Sequence, residues 1–151
     1  MSSYYLSAAG VTLRNQINRR WPRRDKRSDG WIGDASHQAS STSDHNPDWS
    51  AGGVVRAIDI DADLNVRAGN HKAAEELAEQ LRVLARDRER TRISYIIFQG
   101  RIASERENFA WRPYTGTNAH DHHIHVSFKP SGDKVGKKFD VACLKTPVLS
   151  R

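Results

Sequence analysis

The feature that most restricts this chain is a two-residue alternation in two stretches, AIDID within VVRAIDIDA (54–62) and HIHVSF (123–128). Successive side chains of a strand point to opposite faces, so residues two apart share one. Ile58 and Ile60 then face one way, Asp59 and Asp61 the other. In the second stretch Ile124, Val126 and Phe128 oppose His123, His125 and Ser127. Both read as half-buried strands with an apolar core face. The polar faces carry carboxylates on one strand and imidazoles on the other. Ordinary half-buried strands alternate as well, so alternation by itself assigns no chemistry.

Around these strands the order is α+β. Leu6, Ala9, Leu13 and Ile17 recur at helical spacing, and Pro22 marks the last place that helix can end. Ala74, Leu77, Ala78, Leu81 and Leu84/Ala85 give HKAAEELAEQLRVLARDRER one apolar stripe. ISYIIFQGRIA is an apolar strand that turns at Gly100. Residues 23–53 are rich in Ser, Asp, Gly, Asn and Pro, a long loop of the kind that is functional or disordered. From Lys129 onward only short apolar pieces occur. There are no internal repeats or low-complexity tracts. The pattern predicts a single domain over 1–151, with its core over about 6–128 and a C-terminal tail over 129–151.

A chain of 151 residues fits one domain and can bury roughly 70% of its unfolded surface, enough for a core without staples. The lone Cys143 excludes a disulfide framework and a multi-thiolate zinc site, and reads as a small buried hydrophobe. No apolar run approaches the ~18 residues of a membrane span. The start, MSSYYLSAAGVTL, lacks a charged segment and a long apolar run, so synthesis in the cytosol without a signal peptide is expected. The net charge of +6 gathers in RNQINRRWPRRDKR and RDRERTR. Those runs suit solvated faces, or attraction to a polyanion such as nucleic acid or an acidic bacterial wall.

AHDHHIHVSF (119–128) holds four of the seven histidines. Either it is a wet basic loop or its imidazoles converge. His45, in STSDHNPD, is a further candidate ligand. Two His and one Asp are a standard set for a catalytic zinc, leaving a fourth position for a water whose pKa falls to roughly 7. Spacing alone leaves this open against polar side chains satisfied in the core or at the surface.

These residues resemble a known family. SDH (43–45) followed by AID (57–59) is similar to the Ser-x-His … Ala-x-Asp signature of zinc D,D-carboxypeptidases and L-alanyl-D-glutamate endopeptidases, which cut peptidoglycan stem peptides. HIH, with Val126 and Ser127 following, resembles the family's closing His-x-His. HDHHIH fits its His-x-x-His-x-His branch through His120, His123 and His125. SDGWIGDASHQASSTSDHNPD (28–48) resembles single-domain phage and actinobacterial members, some of them endolysins. The resemblance spans about residues 14–128. It implies a hedgehog/D,D-peptidase-like α+β fold, a central antiparallel sheet flanked by helices. It implies one zinc ion held by His45, Asp59 and His125, and His123 facing the substrate carbonyl with His120 beside it. A stem peptide would be the partner of a monomer that acts at the cell wall, released by a holin or carried on a virion.

The chain departs from the family twice. The usual spacing from His to Asp is seven residues, whereas His45 and Asp59 are 14 apart. NPDWSAGG therefore reads as an insertion, and Asp61 remains a rival ligand. Many relatives place a Glu three residues before the last His; here that position is His122, and no Glu follows Glu107. The base stays open among His123, His120 and Asp121.

Other residues carry two readings each. His37, Arg24 and Arg101 are candidates for substrate contact, the arginines through bidentate carboxylate binding, against loop or surface roles. Asp34 suits orientation of a ligand histidine. Trp31, Trp49, Trp111 and Tyr114 suit cleft walls or, more ordinarily, packing. His71 sits at the start of a helix without evident chemistry. Two rival functions remain: a non-catalytic zinc-binding module that targets the wall or a partner, and a nucleic-acid binder. HVS matches the His-x-Ser element of two-histidine phosphoesterases, but no second copy occurs, and zinc-finger spacing is absent.

Overall fold

The computed structural model describes residues 3–32, 43–65, 70–116 and 120–145. Helix α1 (Ala8–Arg20) begins where the Ser7 hydroxyl accepts the Gly10 amide at 3.2 Å, satisfying one of the amides that a helix start leaves without a partner. It ends at Trp21, just before Pro22, with Ala9, Leu13 and Ile17 on its buried stripe. Helix α2 (Lys72–Asp87) buries Ala74, Leu77, Ala78, Leu81, Leu84 and Ala85, the residues whose spacing predicted it. Among the described residues no helix is long and apolar enough to cross a membrane.

VVRAIDIDA divides at Arg56. Its first part, β2 (Val54–Val55), pairs in parallel with β1 (Tyr5–Leu6). Its second part, β3 (Ala57–Asp61), enters a five-stranded antiparallel sheet with β4 (Ile93–Phe98), β5 (Arg101–Ser104), β6 (Trp111–Pro113) and β7 (His123–Phe128). The strand order is β3-β7-β4-β5-β6. ISYIIFQGRIA is a hairpin that turns at Gly100, its two arms being β4 and β5. Its two loop residues, Gln99 and Gly100, have φ of 52° and 72°, the left-handed pair that matches the twist of a tight hairpin.

Register decides which side chains meet. Ile58 pairs with Val126 and Ile60 with Ile124, while Asp59 pairs with His125 and Asp61 with His123. On the other side of β7, Tyr95 pairs with Ser127, Ile96 with Val126 and Ile97 with His125. Partners directly opposite share a face. One face therefore carries Ile58, Ile60, Ile96, Phe98, Ile124 and Val126, which join the stripes of α1 and α2 in the core. The other face carries Asp59, His123, His125, Ser127 and Tyr95.

The core continues past Phe128, where a tail was expected. Phe139, Val141 and Leu144 are buried in it. Buried Arg92 donates to the carbonyls of Val135 and Lys137 at 3.3 and 2.7 Å and lies 4.0 Å over the Phe139 ring. Gln16 of α1 holds the Phe139 backbone through both N–H and C=O, each at 2.9 Å. These apolar residues follow no helical or strand period, so their spacing hid their burial.

Candidate metal centre

The register of β3 against β7 sets an aspartate beside a histidine. Asp59 Oδ1 lies 3.1 Å from His125 Nδ1. The loop before β2 delivers a second histidine: the Ser43 hydroxyl accepts the His45 amide at 3.2 Å, and Arg56 N–H donates to the Asp44 carbonyl at 3.2 Å. The loop is further held by Arg56, whose guanidinium bridges Asp48 at 2.8 Å and Asp133 at 2.8 Å. His45 Nε2 thereby comes within 3.2 Å of Asp59 Oδ2. His45 and His125 are buried and their rings meet edge to face, 5.0 Å between centroids.

The remaining nitrogen of each ring is already engaged. His45 Nδ1–H donates to the Trp31 carbonyl at 2.9 Å, leaving the Nε2 lone pair aimed at Asp59 in the neutral ring. His125 Nε2 lies 2.7 Å from Ser127 Oγ; with Nε2–H donating there, Nδ1 keeps its lone pair towards Asp59. Ser127 and Asp44 both act on the Tyr95 hydroxyl. The Tyr95 ring stacks on His125 at 5.4 Å. Burial, reinforced by the Asp44 charge, pushes the Tyr95 hydroxyl well above its ordinary pKa.

Asp59, His125 and Ser127 stand in the order of a hydrolase triad, but Ser127 is fully buried in mid-strand. Its burial leaves it facing the imidazole rather than an open cleft, a place suited to orienting the ring.

Charge is balanced around Asp59. Burial works against its ionisation, yet His125 and His45, when they carry a proton on the nitrogen facing it, donate to Asp59 and hold the carboxyl far below the usual range. Burial likewise opposes charge on His45, but Asp59 and the Trp31 carbonyl raise its pKa. His123 behaves oppositely: burial lowers its pKa, with Asp59 only partly offsetting. Its Nε2 is 3.6 Å from Asp59 Oδ2. His120 closes the cluster, its ring 4.8 Å from His123, 5.5 Å from His125 and 5.5 Å from Tyr114.

His45, Asp59 and His125 therefore form a group able to hold a metal ion, and Asp59, His120 and His123 form another. Nitrogen donors with one carboxylate suit a borderline divalent cation better than magnesium or calcium. Asp61 is engaged elsewhere: its carboxylate accepts the amides of Ser28 and Asp63 at 2.9 and 2.8 Å. Its metal-capable group is with Asp25 and Asp63. Asp121 is exposed and belongs to none of these groups.

Neither arginine is presented to the cluster. The Arg24 side chain is fully buried, donating to Asp29 at 2.8 and 2.6 Å and to Asn18 at 2.9 Å. It braces the loop, since Asp29 also accepts the Asp61 amide at 2.8 Å. Arg101 shares the helix-covered face with its neighbour Ala103 and lies 4.7 Å over the Trp111 ring, on the opposite side of the sheet from the histidines. His37 and Asp34 lie outside the described residues. His71 contacts Asp63 at 3.2 Å, away from the cluster.

The aromatic residues divide. Trp31 packs on the core and gives His45 its carbonyl, Trp111 donates to Glu79 at 2.8 Å, Trp49 is exposed, and Tyr114 alone of the four abuts the histidines through its ring. Cys143 is half-buried, its thiol pushed up to about 11 by burial. Sequence reasoning gave no role to Tyr95, Asp44 or the Trp31 carbonyl. Strand alternation does put Tyr95 on the polar face, but a backbone carbonyl leaves no trace in composition.

In comparisons with protein-family models, curated proteins and solved structures, nothing matches this chain. Fold and cluster together define an α+β protein with His/Asp groups able to hold a metal ion.

Proposed function

We propose that the protein is a zinc-dependent peptidase of the bacterial cell wall, hydrolysing an amide bond in the stem peptide or cross-link of peptidoglycan, on a hedgehog/D,D-peptidase-like fold. One observation carries the metal reading. His45 donates from Nδ1 to a carbonyl, so the neutral ring turns a lone pair on Asp59 at 3.2 Å. Lone pair against carboxylate is repulsive unless a cation or a proton lies between them. With His125 Nδ1 at 3.1 Å on the same carboxylate, the three donors fit a zinc ion.

Bound there, zinc supplies Lewis-acid polarisation of a carbonyl and an acidified water. The chain's own residues do the rest. His45, Asp59 and His125 fix the position of reaction, and Trp31 and Ser127 fix the ring orientations. His123, whose neutral form burial favours, takes up a proton and returns it to the leaving amine. It is the only one of the paired histidines on β7 that solvent partly reaches. His120, at its edge, supports the oxyanion or the same proton.

The resemblance in SDH, AID and HIH gives the substrate class, and the cations of RNQINRRWPRRDKR other than Arg24 and Arg27, which pair with Asp29 and Asp25, favour an anionic wall. Digestion of purified wall should release new amino groups without new reducing ends, because imidazoles and a metal suit an amide carbonyl rather than a glycosidic oxygen. A chelator should stop the release and zinc restore it. Reducing ends without free amines, or lysis that resists chelation, would refute the peptidase reading.

A further inference from the structure

The cluster contains more donors than one ion uses, and they divide in a particular way. His45 and His125 form one group with Asp59; His120 and His123 form another with the same carboxylate. The two histidine pairs are alike in geometry: ring centroids 5.0 Å apart at 80° in the first and 4.8 Å apart at 82° in the second. Asp59 Oδ1 faces His125 and Oδ2 faces both His45 and His123. From this division we propose that the pocket holds a second, weaker position for a divalent metal ion, between His120 and His123, with Asp59 bridging both positions.

The proposal rests on the metal reading of the first group, since the bridge needs an ion on each side. A carboxylate spanning two cations is the usual core of two-metal sites, with the ions about 3.5–4 Å apart. Imidazole donors again select zinc or a neighbouring transition metal over magnesium or calcium. One carboxylate serves two cations, so the second ion enters against more positive charge and binds more weakly.

The backbone also commits His120 to this place. Its φ is 58°, a left-handed conformation that a residue with a side chain rarely adopts, and its carbonyl accepts the Gln99 amide at 3.1 Å. The ring is thereby held between Tyr114 and His123 at 9% exposure. Strained conformations of this kind collect at functional sites. Filling the second position occupies the imidazoles that would otherwise move protons, so zinc in excess should inhibit.

The test is equilibrium dialysis of the intact, tag-free chain against zinc, with cobalt absorption as an independent readout and circular dichroism to check folding. Two binding steps are expected, approaching two ions per chain. His120→Ala and His123→Ala should each remove the weaker step and leave the tighter one. His123→Ala provides the test should His120→Ala disturb its strained turn. A single step reaching one ion, unchanged by either variant, would overturn the proposal, as would a second step that survives in both. Two-step binding in a protein that releases no amines from wall would still support the second position and sink only the peptidase reading.

Discussion

Removing one buried hydroxyl should weaken metal binding from outside the ligand set. Ser127 Oγ lies 2.7 Å from His125 Nε2 and is fully buried; with a metal on Nδ1 it is the acceptor of the Nε2–H. Without it, the neutral ring gains by moving its proton to Nδ1, where Asp59 waits at 3.1 Å. That tautomer presents an N–H where the metal needs a lone pair. Loss of a partner that orients a ligand typically costs 10- to 100-fold in affinity, or about 1.4–2.8 kcal/mol. Ser127→Ala should fall in this range, and Tyr95→Phe, which keeps the stacked ring and removes only the next hydroxyl, should lose less. Competition with a chromogenic chelator near pH 7.5 measures the affinity. Nitrogen NMR of the metal-free protein reads the tautomer directly. If Ser127→Ala binds metal as tightly as the parent while only its melting temperature falls, the hydroxyl is a packing group and the reasoning fails.

Three further outcomes are expected. Asp59→Asn should abolish metal binding, whereas Asp61→Asn should retain it and lose stability, because Asp61 holds the Ser28 and Asp63 amides; metal content and melting curves of the pair separate the two roles. Phe139→Ala should destabilise by about 3–5 kcal/mol, as for a large aromatic removed from a packed core, and a urea midpoint unchanged from the parent would return this segment to the status of a tail. In the metal-free protein the ionised Asp59 adds stability that is complete above the unfolded-state pKa of about 4 and declines as pH falls below it, since its folded pKa is depressed. Urea midpoints at pH 3 and pH 6 should show Asp59→Asn with a shallower acid loss.

Much of this architecture is legible as periodicity. The stripe from Ala74 to Ala85 and the alternation in AIDID and HIHVSF report their burial directly, and the polar faces of those two strands contain the carboxylate and imidazole that meet. Periodicity says nothing of register, which is why Asp61 remains a rival to Asp59 in the sequence and is set apart from it in the fold. The difference is made by the Ser28 and Asp63 amides, which take up the Asp61 carboxylate. Arg24 reads as a surface cation because its partners, Asn18 and Asp29, are recognisable only once the loop has closed. The segment beyond Phe128 hides for a related reason. Phe139, Val141 and Leu144 are anchored by Arg92 and Gln16, contacts with no local signature.

The three donors of the first group differ in how firmly the chain holds them. Asp59 and His125 belong to paired strands in a five-stranded sheet, whereas His45 stands on a loop fastened by Arg56 through Asp44, Asp48 and Asp133. Local opening of loops costs far less than opening a sheet. On the proposed metal reading, entry and exit of an ion become a question of kinetics, set by how often that loop opens at His45. The sheet keeps a half-built site throughout. On the same reading, Arg56, which fastens that loop, would set the dwell time.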